Sequence, residues 1–149
     1  MNDQLTKSES VVMQILATAA TLERGLDSAL SHSRGVTFSE YRLLRTLQAA
    51  EHGLTRVALA RTLSVSPSGV TRALKPLEKL GYVVTEKNSR DARQSLAKLT
   101  RGGRDLLSDA KLVLADFLRE LKIENVNTQV VASAEHLLIE LQQRRASRQ

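Results

Sequence analysis

The sequence predicts a mainly α-helical chain with one small β-hairpin, and three observations carry that prediction. Apolar residues recur at three- and four-residue spacing along both ends of the chain. In the middle, two short helix patterns are joined by about four residues, the spacing of a helix-turn-helix. Directly after them, past Gly81, the period changes from 3.6 to 2.

Residues 4–31 form the first element. Leu5, Val12, Ala19 and Leu26 make one row and Ile15, Leu22 and Ala29 a second, together a stripe too long for one small core to cover. A helix of that kind also packs on another chain. SRGVTFSE (33–40) reads as a loop, with Ser39 as the N-cap of a helix running to about Glu51 that turns Tyr41, Leu44 and Leu47 inward. A short helix follows from Thr55 to about Leu63.

SVSP then leads into a third helix with Ser66 as N-cap and Pro67 at its first position, where the missing N–H costs nothing. Its buried face is read as Val70, Ala73, Leu74, Leu77 and Leu80. Pro76 lies inside the same pattern and removes the helical bond to the Arg72 carbonyl, which predicts a mild kink between a part suited to reading a polyanion such as DNA (67–75) and a part that anchors on the core (76–80). YVVTEK and SLAKLT are β-rich runs around the turn formers of NSRDARQ, a hairpin with a charged tip. Thr100 caps a helix over about 101–122. A last helix over about 126–145 carries Val130, Val131, Ala134, Leu137, Leu138 and Leu141 on one side.

At 149 residues with 42% hydrophobic content, the chain is the size of one domain and can bury a core without disulfides or metals. It contains no cysteine, which excludes disulfides, thiolate catalysis, zinc–thiolate sites and thiol redox sensing. The polar opening MNDQLTKSES is no secretory signal, and no apolar run approaches the roughly 18 residues of a membrane span, so a cytoplasmic protein is expected.

Charge is unevenly placed. Residues 55–104 hold 11 Lys and Arg against 3 acids, a net of +8, while the other 99 residues hold 11 against 13, a net of −2. That concentration is the footprint of a surface for a polyanion.

Enzyme signatures are missing. His32, His52 and His136 are far apart, with no carboxylate or second histidine at ligand spacing, so neither a metal nor a cofactor is expected. SLAK (95–98) matches a serine acyl-enzyme motif in form, but it lies on a hairpin strand without the companion motifs. No glycine-rich phosphate loop or nucleophile elbow occurs.

The helix-turn-helix is the constellation that remains. Opposite the buried face of the third helix stand Ser68, Thr71, Arg72, Lys75 and Lys79: hydroxyls suited to phosphates or base edges, then an arginine able to fork onto guanine. Gly69 leaves room for close backbone approach. At the hairpin tip, RDAR places Arg90 and Arg93 around Asp91, suited to a narrow minor groove, with Asp91 holding an arginine by a charge-assisted hydrogen bond.

These residues carry a resemblance. GLTRVALARTLSVSPSGVTRALKPLEKLGYV is similar to the helix-turn-helix of the MarR family of bacterial winged helix-turn-helix regulators, and DARQSLAKLTRGG resembles its DxR…LTxxG signature. The resemblance implies a winged DNA-binding lobe over 39–103 and a helical dimerisation lobe from 4–31 and 104–145, within one chain of 1–149. It also implies a homodimer on a pseudo-palindromic double-stranded operator, acting as a ligand-responsive repressor, with Ser66, Ser68, Thr71, Arg72 and Lys75 in the major groove and Arg93 as the wing arginine with Asp91 as its partner. His32, Phe38 and Tyr41 fall where a small-molecule effector would enter. The rival from another class is a winged-helix module that binds protein rather than DNA, which acidic or apolar residues at 68, 72, 75 and 79 would have favoured.

Overall fold

A computed structural model describes residues 2–89, 91 and 93–146. Its elements are α1 (Asn2–Arg34), α2 (Phe38–Gln48), α3 (Arg56–Leu63), α4 (Pro67–Lys79), β1 (Val83–Lys87), β2 (Ser95–Leu99), α5 (Arg101–Glu120), a 3-10 turn (Ile123–Asn125) and α6 (Thr128–Ala146). The mainly α chain with one hairpin is the predicted architecture. It divides into two compact units, residues 1–114 and 115–149, the division falling inside α5.

In the first unit, the core gathers Leu30 from the end of α1, Tyr41, Leu43, Leu44 and Leu47 from α2, Leu59 from α3 and the Val70, Leu74 and Leu77 row of α4. Leu107 and Ala110 of α5 join them. The α1 stripe is split by burial. Leu26 and Leu30 are inside, whereas Val11, Val12, Met13 and Leu16 are exposed. The side chain of Leu5, assigned to that stripe, lies outside the described residues.

Two sequence expectations need correction. The N-cap of α2 is Thr37, not Ser39: the Thr37 hydroxyl accepts the Glu40 N–H at 3.1 Å while the Glu40 carboxylate accepts the Thr37 N–H at 2.9 Å. This reciprocal capping box satisfies two orphan donors at once, which a lone serine two residues later cannot match. Asp27 of α1 adds a third bond at the same helix start by accepting the Phe38 N–H at 2.6 Å. Leu80 was placed on the buried face of α4, yet it is 63% exposed. The helix ends at Lys79 and Leu80 is the C-cap, so the row closes at Leu77 and helical periodicity no longer directs the next side chain inward.

The hairpin pairs Val83 with Leu99 through Lys87 with Ser95 in antiparallel register. A single bridge between Leu54 and Ala97 fixes it to the chain ahead of α3. Gly53 makes that bridge feasible: its φ is +81°, and a Cβ there would lie 2.7 Å from the Ala97 carbonyl oxygen. On the other side, Thr100 joins strand to helix, donating its hydroxyl to the Gly81 carbonyl at 2.7 Å and accepting the Gly103 N–H at 3.0 Å. Gly103 passes so close to the Tyr82 carbonyl that a Cβ would sit 2.0 Å from its oxygen.

In the second unit, Asn127 accepts the Gln129 N–H at 2.8 Å and starts α6. No described residue of α6 is buried; Val130, Leu137, Leu138, Ile139 and Leu141 all stand open. No helix among the described residues is long and apolar enough to cross a membrane.

Candidate nucleic-acid interface

The surface begins with the turn between α3 and α4. Thr55 caps α3 by accepting the Ala58 N–H at 3.1 Å. Ser64 ends that helix in the left-handed region at φ 56°, and the Val65 N–H returns to the Ala60 carbonyl at 3.0 Å. Ser66 then opens α4 with φ −73° and ψ 153°, its hydroxyl accepting the Gly69 N–H at 3.1 Å, and Pro67 takes the first helical position. Ser-Pro therefore sets both the start and the direction of α4.

From that start α4 sorts its side chains. Val70, Leu74 and Leu77 are within 2% of full burial, and Ser66, Ser68, Thr71, Arg72, Lys75 and Lys79 are exposed on the other side. The helix continues through Pro76, which is half-buried. Among the described residues, no ion pair involves Arg72, Lys75, Lys79 or Arg93, so these cations face solvent without an acidic partner.

The hydroxyls are less free than the cations. Ser66 is committed to the cap and lies 3.0 Å from the Ser68 hydroxyl, while Thr71 donates to the Pro67 carbonyl at 3.1 Å. Thr71 thus keeps acceptor lone pairs and a methyl group for an incoming partner, but not its proton. Gly69 lies against its own cap. A Cβ there would meet Ser66 Oγ at 3.3 Å and Val65 Cβ at 3.8 Å, so the space it saves is used at the turn.

Described residues on either side of the hairpin tip are joined through their main chain. Asn88 donates to the Gln94 carbonyl at 2.8 Å and Gln94 to the Asp91 carbonyl at 2.9 Å. The Asp91 carboxylate accepts the main-chain N–H of Arg93 at 3.0 Å, and among the described residues it forms no ion pair with the Arg93 guanidinium. An aspartate two residues ahead of a free N–H closes a local turn more readily than it reaches a long side chain. Asp91 consequently sets the Arg93 backbone and leaves its guanidinium exposed. Arg90 lies outside the described residues. Along the strands, Glu86 pairs with Lys98 at 2.8 Å, and the Thr85 hydroxyl donates to Glu78 of α4, tying the strand to the helix.

Of the three residues assigned to an effector, Phe38 and Tyr41 lie together and His32 stands on α1. His32 is exposed and its Nδ1 lies 2.7 Å from the Ser28 carbonyl. Tyr41 is a core residue, stacked on Phe38 with ring centroids 6.3 Å apart. Phe38 lines a small cleft with Glu23, Arg24, Asp27 and Ser39. Sequence reasoning missed Arg42, which donates to the Leu63 carbonyl at 3.2 Å and lines a larger cleft of about 630 Å³ with Ser66, Gly69 and Arg72. Position alone could not mark it, because its partner is a main-chain atom 21 residues away.

Residues 34–94 match the family model described as MarR family. Over 103 residues the chain is 30% identical to the multiple antibiotic resistance protein MarR of Escherichia coli, covering 69% of this chain and 71% of that protein. A mutant of E. coli MarR complexed with operator DNA superimposes with a TM-score of 0.79 at 27% identity, covering 89% of this chain and 93% of that one. Sco3205 of Streptomyces coelicolor, a MarR family transcriptional regulator in complex with DNA, gives 0.81 at 26% identity, covering 90% and 88%. The chain belongs to the MarR family of transcription regulators.

Proposed function

We propose that this chain is a sequence-specific DNA-binding transcription repressor of the cytoplasm, acting as a homodimer on a pseudo-palindromic operator. One observation carries the reading: α4 presents Arg72, Lys75 and Lys79 without acidic partners, on a helix whose start is fixed by a capped Ser-Pro turn. Arg72 forks onto a base edge in the major groove while Ser68 and Thr71 take base edges and phosphates beside it. The wing, with Arg93 and Arg90, follows the adjacent minor groove. The DNA-bound relatives support this use of the surface.

The homodimer is supported by the open apolar rows of α6 and of the first half of α1, which a second copy would cover. Two α4 helices would then enter successive major grooves about 34 Å apart. A small-molecule effector, with Phe38 as its first contact, enters between α1 and α2 and releases the DNA. There Asp27 holds the start of α2, so a ligand wedged beside Phe38 shifts the lobe through that bond.

Fluorescence anisotropy with duplexes from the regions flanking the gene tests the reading. Operator affinity should fall steeply with ionic strength, as phosphate contacts release counterions. Binding that is flat in salt, or indifferent to sequence, defeats it. A panel of small phenols scored for release of bound duplex tests the effector, and a panel in which none releases it counts against that route.

A further inference from the structure

The carbonyl of Leu63 should have no partner. It is among the last four carbonyls of α3, and the chain beyond turns left-handed at Ser64. The residue four positions on is Pro67, which has no N–H to offer. The bonds that close the helix end go elsewhere: Ser64 and Val65 both return to Ala60, and Ser64 also to Arg61. Arg42 of α2 fills the vacancy, its Nη2 donating to Leu63 O at 3.2 Å in a half-buried setting.

Arg42 therefore differs from the other arginines of the lobe. Arg72 is exposed and makes no ion pair, whereas Arg42 is withdrawn and spends its Nη2 donor on the turn that launches α4. It also forms the wall shared by two clefts, one with Ser66, Gly69 and Arg72, the other with Thr62 and Leu63. Three residues past Leu63, Ser66 fixes the first turn of α4; displacement of the carbonyl moves that cap, and with it Ser68 and Arg72.

We infer that Arg42 is a positioning residue for operator discrimination: it sets the angle at which α4 leaves the turn, and touches neither base nor phosphate. This rests on the DNA-binding reading above. A guanidinium at a phosphate would make a different prediction, because each phosphate contact contributes about one unit to the salt slope and weakens all duplexes alike when removed.

The experiment uses the full chain, a duplex selected from a random library by the parent protein, and a scrambled duplex. Arg42→Met keeps much of the stem and removes the fork; Arg42→Lys keeps a donor. Arg42→Met should bind the selected duplex about tenfold more weakly, the loss expected for one charge-assisted hydrogen bond, with the scrambled duplex and the salt slope unchanged. Arg42→Lys should recover part of that loss. Without DNA, amide hydrogen exchange of Arg42→Met should quicken at Val65 and Gly69 and not at Leu44 or Leu74.

Equal weakening of both duplexes with a shallower salt slope would make Arg42 a phosphate contact and overturn the inference. Faster exchange spread evenly over the core would reduce it to general stabilisation, which also overturns it. A parent that selects no duplex removes the DNA-binding reading and any role in specificity, while exchange confined to Val65 and Gly69 still establishes Arg42 as the strut of the turn.

Discussion

Helices α4 and α6 carry the same kind of apolar row, and only one of them buries it. Leu74 of α4 is 1% exposed; Leu137 and Leu138 of α6 are 42% and 44% exposed. A repeat of 3.6 residues states that a face is to be covered, not what covers it. In α4 the cover is α2, α3 and the hairpin of the same chain, which leaves the opposite face free to present cations. In α6 the row stays open, a patch of the kind that marks a surface for another protein.

The largest effect that would sharpen this contrast is in the α4 row. Leu74→Ala should destabilise the lobe by about 2–5 kcal/mol, the transfer and cavity cost of a fully buried leucine. Leu138→Ala should change the unfolding of dilute, monomeric protein by less than about 0.5 kcal/mol, as at exposed positions generally. Equal losses in urea titrations of the two variants would erase the distinction between the helices.

Next comes the α6 row under conditions where a partner is present. Leu138→Asp should weaken self-association by about 3 kcal/mol or more, since an unpaired carboxylate would be buried between copies. Sedimentation velocity across a concentration series reads this as a shift from dimer to monomer. A variant that assembles like its parent would show that the α6 row is not the interface.

The solvent side of α4 should respond in the opposite way. Arg72→Ala should lose about 1–3 kcal/mol of affinity for a selected duplex, chiefly at one base position, with thermal stability held. If its loss appears as instability instead, the exposed row belongs to the scaffold and the division of α4 into two faces fails.

How much of this was legible before the coordinates follows the same division. Caps whose signal is local are readable: Ser66 and Thr100 stand where short polar side chains precede apolar periodicity. The hairpin was readable as well, from a change of period that does not depend on the rest of the chain. Thr37 was equally local, as the first member of T-x-x-E, and Ser39 drew the assignment only because it stood nearer the apolar run.

What stayed hidden depends on distance. The Leu54–Ala97 bridge is a single pair with no periodicity to announce it. Arg42 looks like any helix-surface arginine until the Leu63 carbonyl is seen beside it. Asp91 was read as a partner for charge because its neighbours are charged, while its shortest route is to the backbone of Arg93. In the candidate site, residue types and the face of α4 were legible. Which hydroxyls are already engaged was not.

Ser66 is where that last point becomes measurable, and its expected effect on stability is the smallest. Its hydroxyl caps α4, so Ser66→Ala should cost about 1 kcal/mol and Ser66→Gly a few tenths. Ser66→Asp is the more informative change, because aspartate caps as well as serine and its charge favours the helix start. Thermal stability of Ser66→Asp should equal or exceed that of the parent. Its affinity for any duplex should nevertheless fall, since a carboxylate now stands at the entrance of α4 beside the phosphates. Unchanged DNA affinity in Ser66→Asp would place the start of α4 away from the backbone, and would confine the reading surface to Thr71, Arg72 and Lys75.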